Sequence, residues 1–184
     1  MNEWRSQSSS NPNNILETSL KESVVDSRRY LYTASLEEAL RIDAFYVKGF
    51  VTIPDSLVIL GLKISSKNLH VRYTESIGYY ALFVDQERAY LSACINPRGG
   101  STLTREQFMN NRNNYDITRD RIVSYLIGIT DLRDIRCLFT IISVPLENKQ
   151  IGNFNNNSLD VSYQKLEKAW SDWYNKWEDN FPKD

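Results

Sequence analysis

The stretch YYALFVDQERAYLSACI, residues 79–95, decides the fold class. Two runs rich in aromatic and aliphatic residues, 79–84 and 89–95, flank the polar segment Asp85-Gln86-Glu87-Arg88. Runs of this kind joined by so short a polar link read as a β-hairpin, and therefore as part of an antiparallel sheet. The second strand ends at Asn96-Pro97, because proline has no amide to give a ladder. Gly99-Gly100-Ser101-Thr102 then reads as a structural turn from strand to helix.

Downstream, Thr104-Arg105-Glu106-Gln107 has capping-box form, with the Thr104 hydroxyl and the Gln107 side chain closing on each other's amides. A helix to about Asn113 follows, then a second near Arg119 to Ile127, ended by Gly128. Residues 136–144 return to strand and stop at Pro145. The polar segment 147–158 reads as an expanded loop. The last helix carries Tyr163, Leu166, Trp170, Trp173 and Trp177 at alternating spacings of 3 and 4, which puts them on one face. Such a stripe is the normal mark of a helix packed on a sheet; the competing reading is an exposed carbohydrate or membrane platform.

Upstream, Leu69, Val71 and Tyr73 alternate as a strand, as do Ile42, Ala44 and Tyr46, and RRYLY puts Tyr30 and Tyr32 on one face. Residues 57–64 fit a short helix or a buried strand equally. Residues 1–27 read as a flexible tether, with Ser8-Ser9-Ser10-Asn11-Pro12 at its centre, and 28–184 as one domain. The expected fold is α+β: a mainly antiparallel sheet, helices on one face, and a long aromatic C-terminal helix.

At 184 residues the chain buries roughly 70% of its unfolded surface, enough for a core without metal help. A net charge of −1 gives none of the electrostatic footprint of a nucleic-acid binder. No apolar run approaches the roughly 18 to 20 residues of a membrane span, and MNEWRSQSSSNPNN has no apolar leader core, so a soluble product is expected.

Candidates for chemistry are few. His70 is the sole imidazole and lies among strand residues without a positioned partner in view. Cys94 and Cys137 form no CxxC, and one histidine completes no zinc set; a structural disulfide and two buried thiols both stay open, with thiols favoured for want of a leader. No metal or cofactor is expected. The Gly99-Gly100 turn lacks the lysine of a Walker loop, yet it precedes a helix. Arg98, Gly99, Gly100, Arg105 and Arg112 are therefore candidate anion or partner contacts. Arginines recur through residues 98–136, interspersed with acids, which fits either a recognition groove or a salt-bridged surface.

Several short motifs occur together in order. They are YYALF at 79–83, AYLSACINPRGGST at 89–102, Gln107-Phe108, Asn111-Arg112 and Tyr115-Asp116. LRD at 132–134, RCL at 136–138 and SVPL at 143–146 follow, then YQKLE at 163–167, Ala169-Trp170, Trp173-Tyr174, Trp177 and Phe181-Pro182. In these the chain, over residues 28–184, resembles the cyanoexosortase A system-associated family. The resemblance implies a non-catalytic accessory protein of a bacterial exosortase system, which sorts surface proteins bearing a PEP-CTERM tail, often beside exopolysaccharide genes. Its partners would be the exosortase or its sorting-system proteins, with no nucleic acid. Its placement would be extracytoplasmic, in peripheral or anchored association with the membrane, and this conflicts with the expected soluble product. Under that placement a Cys94–Cys137 disulfide stands level with the free-thiol reading. The alternative function is a ligand- or carbohydrate-binding domain, or an enzyme, of the same pathway using the arginine-rich segment.

Overall fold

The computed structural model describes residues 5–10, 23–33, 39–49, 61–62, 69–146, 156–178 and 180–182. In chain order the strands are β1 (Arg5–Ser10), β2 (Val24–Thr33), β3 (Ala39–Lys48), β4 (His70–Thr74), β5 (Gly78–Asp85), β6 (Arg88–Ile95) and β7 (Arg136–Pro145). The helices are α1 (Arg105–Asp116), α2 (Arg119–Leu126) and α3 (Asn156–Glu178). All neighbouring strands run antiparallel in one sheet of order β1-β2-β3-β7-β6-β5-β4. The expected α+β fold is present. The hairpin that decides it is tighter than the four-residue link expected: Asp85 already pairs with Arg88, so only Gln86 and Glu87 turn the chain, with Gln86 at φ 53°.

β7 is last in sequence among the strands and sits at the centre of the sheet, between β3 and β6. Its composition explains the position. RCLFTIISVP has no polar alternation, and every residue but the terminal proline is buried, so both faces of this strand must be covered. On one face the register aligns Ala44, Thr140 and Ala93, and α3 lies across them. The Trp173 indole donates to Thr140 Oγ1 at 3.2 Å and packs edge-on to Tyr30, with ring centroids 5.2 Å apart. On the opposite face Phe45 stacks on Phe139, Phe83 stacks on Tyr90, and Arg29 donates to Asp43 at 2.6 and 3.1 Å.

Two expectations need amendment. Arg5–Ser10, inside the segment read as a tether, pairs with β2 as the edge strand, and β2 begins at Val24, before the expected domain start. α3 begins at Asn156, within the expected polar loop. The helix-or-strand question at 57–64 and most of the 147–158 loop lie outside the described residues. Among the described residues no helix is long and apolar enough to cross a membrane.

The start of β5 is held by close backbone packing. Gly78 has φ 99°, and a Cβ there would fall 2.5 Å from the Ser101 amide nitrogen. Gly78→Ala is expected to destabilise the fold by about 1 to 3 kcal/mol, read as a lower urea midpoint.

Candidate functional site

The loop 96–104 is built as an extension of the sheet. Ser101 donates from its amide to the Ile77 carbonyl and accepts from the Tyr79 amide at 2.9 Å, while Thr102 and Cys94 exchange two bonds of 3.0 Å. Asn96 Nδ2 donates to the Gly100 carbonyl at 2.7 Å and to Thr102 Oγ1. The capping box forms as expected: Gln107 Oε1 accepts from the amides of Leu103 and Thr104, and the Gln107 amide donates to Thr104 Oγ1. The amides of residues 101 to 104 are therefore spent inside the chain. Gly99, at φ 72°, lies under the Tyr115 ring, and Gly100 lies against Gly78. The two glycines permit this close approach of the loop to Tyr115 and to Gly78.

Below the loop is a buried ionic network. Arg112 and Asp116 are fully buried, one helical turn apart, and pair at 3.3 Å. The Arg112 guanidinium also donates to the Arg98 carbonyl and to Asn111 Oδ1. Asp116 accepts in addition from Arg98 Nε at 3.0 Å and from the Asp134 amide at 2.8 Å. Asp134 takes a two-pronged contact from Arg136, at 2.6 Å for each prong, and Arg136 reaches on to Tyr46 and the Pro182 carbonyl. Burial pushes the Asp134 carboxyl up, but the hydrogen bonds and charge of Arg136 outweigh it and hold the pKa below the usual value. Burial lowers the Arg112 pKa, against the pull of Asp116.

This cluster ties five parts of the chain together: the loop, α1, the 131–135 linker, β7 and the C-terminal tail. Arg98 and Arg112, candidate anion contacts by sequence, are turned onto the protein's own carboxylates. Arg105 also has an interaction of its own. Arg121 donates to the Asp131 and Leu132 carbonyls, and Arg133 to Asn113. These arginines are engaged within the chain, and the salt-bridged reading of residues 98–136 is the one the geometry fits.

Cys94 and Cys137 are joined as a disulfide across β6 and β7, with a Cα–Cα distance of 5.8 Å. His70 sits on the edge strand β4, 6.3 Å in ring centroids from Tyr163 on the α3 face, whereas Cys94 belongs to the opposite face of the sheet. His70 and Cys94 therefore lie on opposite faces of the sheet. Among the described residues no group of three His, Cys, Asp or Glu side chains is arranged to hold a metal ion. The aromatic helix face is inward: Tyr163, Trp170 and Trp173 are buried and Trp177 half-buried, so the exposed-platform reading does not hold.

Glu167 of α3 receives Arg72 at 2.6 Å and the Tyr80 hydroxyl at 2.9 Å. Burial, then the Glu167 hydrogen bond, pushes the Tyr80 phenol up from 10.0 to about 12. The protonated phenol is favoured in the fold, so its contribution is complete below pH 10 and lost as pH rises toward 12. Urea midpoints should fall across that alkaline window, and fall less in Tyr80→Phe.

Two surface features were not singled out from the sequence. α2 buries no residue at all. Leu126, Ile127 and Ile129 are 74%, 65% and 70% exposed, and Val123 and Tyr125 are exposed beside them. The signal was present as a charge-free run over residues 122–130, at the end of the expected second helix. The second is a groove between the β4–β5 hairpin and α1, bounded by Tyr73, Tyr79, Tyr115 and a row of amides. Gln107, Asn110, Asn111 and Asn114 recur at helical spacing, a pattern that apolar periodicity does not register. No protein-family model, curated protein or solved structure matches the chain.

Proposed function

We propose that this chain is a non-catalytic accessory protein of an exosortase sorting system, acting outside the cytoplasmic membrane by docking onto a protein of that machinery through α2. The observation that carries the docking is the bare apolar projection of Leu126, Ile127 and Ile129. Monomeric proteins rarely leave such contiguous apolar surface in water. Covering these side chains gains on the order of 1 to 2 kcal/mol each. The exosortase assignment is carried by the motif resemblance alone.

The surroundings of the projection favour a protein over a lipid surface. Its rim is of mixed sign, with Arg119, Asp120 and Arg121 before it and Asp131 and Arg133 after it. An apolar centre within a polar, nearly neutral rim is the anatomy of a protein interface. Interfacial lipid-binding helices instead carry a basic face, with Trp or Phe on the apolar one. The disulfide supports an oxidising compartment.

A photoreactive phenylalanine analogue at Ile129, introduced in the native host, tests the proposal. The expected product is a crosslink to the exosortase or another sorting-system protein, lost in Leu126→Asp. Crosslinks only to lipid, only to a second copy, or to nothing would overturn it.

A further inference from the structure

The groove between the β4–β5 hairpin and α1 has a volume of about 310 Å³. That is at the small end of the range of about 300 to 1,000 Å³ for ligand sites. Its position is fixed from beneath, because the Gly78–Ser101 bridge and the Ser101 hydroxyl, which lies 2.9 Å from the Ile77 carbonyl and 2.8 Å from the Tyr79 carbonyl, lock the loop onto β5. One wall is the Tyr73–Tyr79 pair, with ring centroids 4.8 Å apart. The other is α1, which presents Asn110, Asn114 and Tyr115. Tyr73 and Tyr115 are 56% and 51% exposed, so both walls offer aromatic surface to a ligand.

The chemistry of these walls selects the ligand. Asparagine amides each hold donors and an acceptor, and hydroxyl groups need both. Asn110 and Asn114 stand one turn apart on α1, roughly 6 Å along the helix axis, and offer successive contacts along an extended chain. Aromatic faces carry negative charge density and attract the polarised C–H groups of a pyranose ring. Asn111 has a different role: it donates to the Gly100 carbonyl at 3.1 Å and accepts from Arg112, so it positions the wall. Among the described residues no Arg or Lys lines the groove, and Glu75 does, which selects against phosphate, sulfate and uronate groups.

We infer that this groove binds a neutral sugar chain. The site is separate from α2, and the inference stands independently of the exosortase reading. Affinity electrophoresis of the full chain in gels cast with dextran, laminarin, galactomannan or xylan tests it, with alginate as the anionic comparison. Retardation by at least one neutral polymer is expected, weakened about tenfold in Tyr73→Ala/Tyr115→Ala by loss of two stacking rings. Asn114→Ala should weaken it as well, with the circular dichroism spectrum unchanged. Leu126→Asp, which alters only the docking projection, should bind the sugar as the parent does. No retardation by any neutral polymer would overturn the inference. So would equal retardation by alginate, or retardation indifferent to these groove substitutions.

Discussion

Asp116→Ala is expected to destabilise the protein by about 3 to 5 kcal/mol, the cost of leaving a buried charge without its partner. The Asp116 side chain is fully buried and receives Arg98, Arg112 and the Asp134 amide. Without it the Arg112 guanidinium, equally buried, keeps only neutral acceptors and the more distant Asp134. Chemical denaturation should show a lowered midpoint with little change in slope. The double variant Arg112→Met/Asp116→Leu should recover much of the loss, because replacing both ions with apolar groups removes the desolvation cost as well. The same network sets an acid limit. Asp134 is held below its ordinary value of 3.8, so its contribution is intact above that pH and is lost as pH falls further.

Reduction of the Cys94–Cys137 disulfide is expected to cost about 3 to 4 kcal/mol, from the loop-closure entropy regained by the unfolded chain. The bridge joins positions 43 residues apart and spans the two strands that meet at the centre of the sheet. Melting with and without reductant measures the difference, and Cys94→Ala/Cys137→Ala should melt with the reduced protein under both conditions. Protein taken from its native compartment should resist thiol labelling until reduced.

The framework was legible in the sequence wherever one local rule sufficed. The hairpin at 79–95, the capping box at Thr104 and the aromatic spacing of α3 each follow from short-range chemistry, and the structure contains all three. The position of β7 was encoded in its continuous apolar run, but choosing its neighbours needs contacts between distant segments. The loop 96–104 offered both a structural turn and a candidate anion contact for a related reason. Gly99-Gly100 before a helix is a fair signal for anion binding, yet whether the amides of Ser101 and Thr102 stay open depends on whether Ile77 and Cys94 take them. Arg98 and Arg112 raised the same difficulty, since their carboxylate partners, Asp116 and Asp134, are brought together only by the tertiary fold. The exposed α2 reverses the case: it buries no residue, and nothing local in the sequence marks its apolar side chains as exposed.

If the chain works by contact, its chemistry-bearing residues are expendable and its bare helix is not. Processing of a PEP-CTERM reporter in the native host, with the chromosomal copy replaced by variants, tests this most directly. Leu126→Asp/Ile129→Asp is expected to abolish processing while the protein accumulates at its normal level, and His70→Ala is expected to leave processing intact. Loss of processing in His70→Ala with full activity in Leu126→Asp/Ile129→Asp would contradict the account.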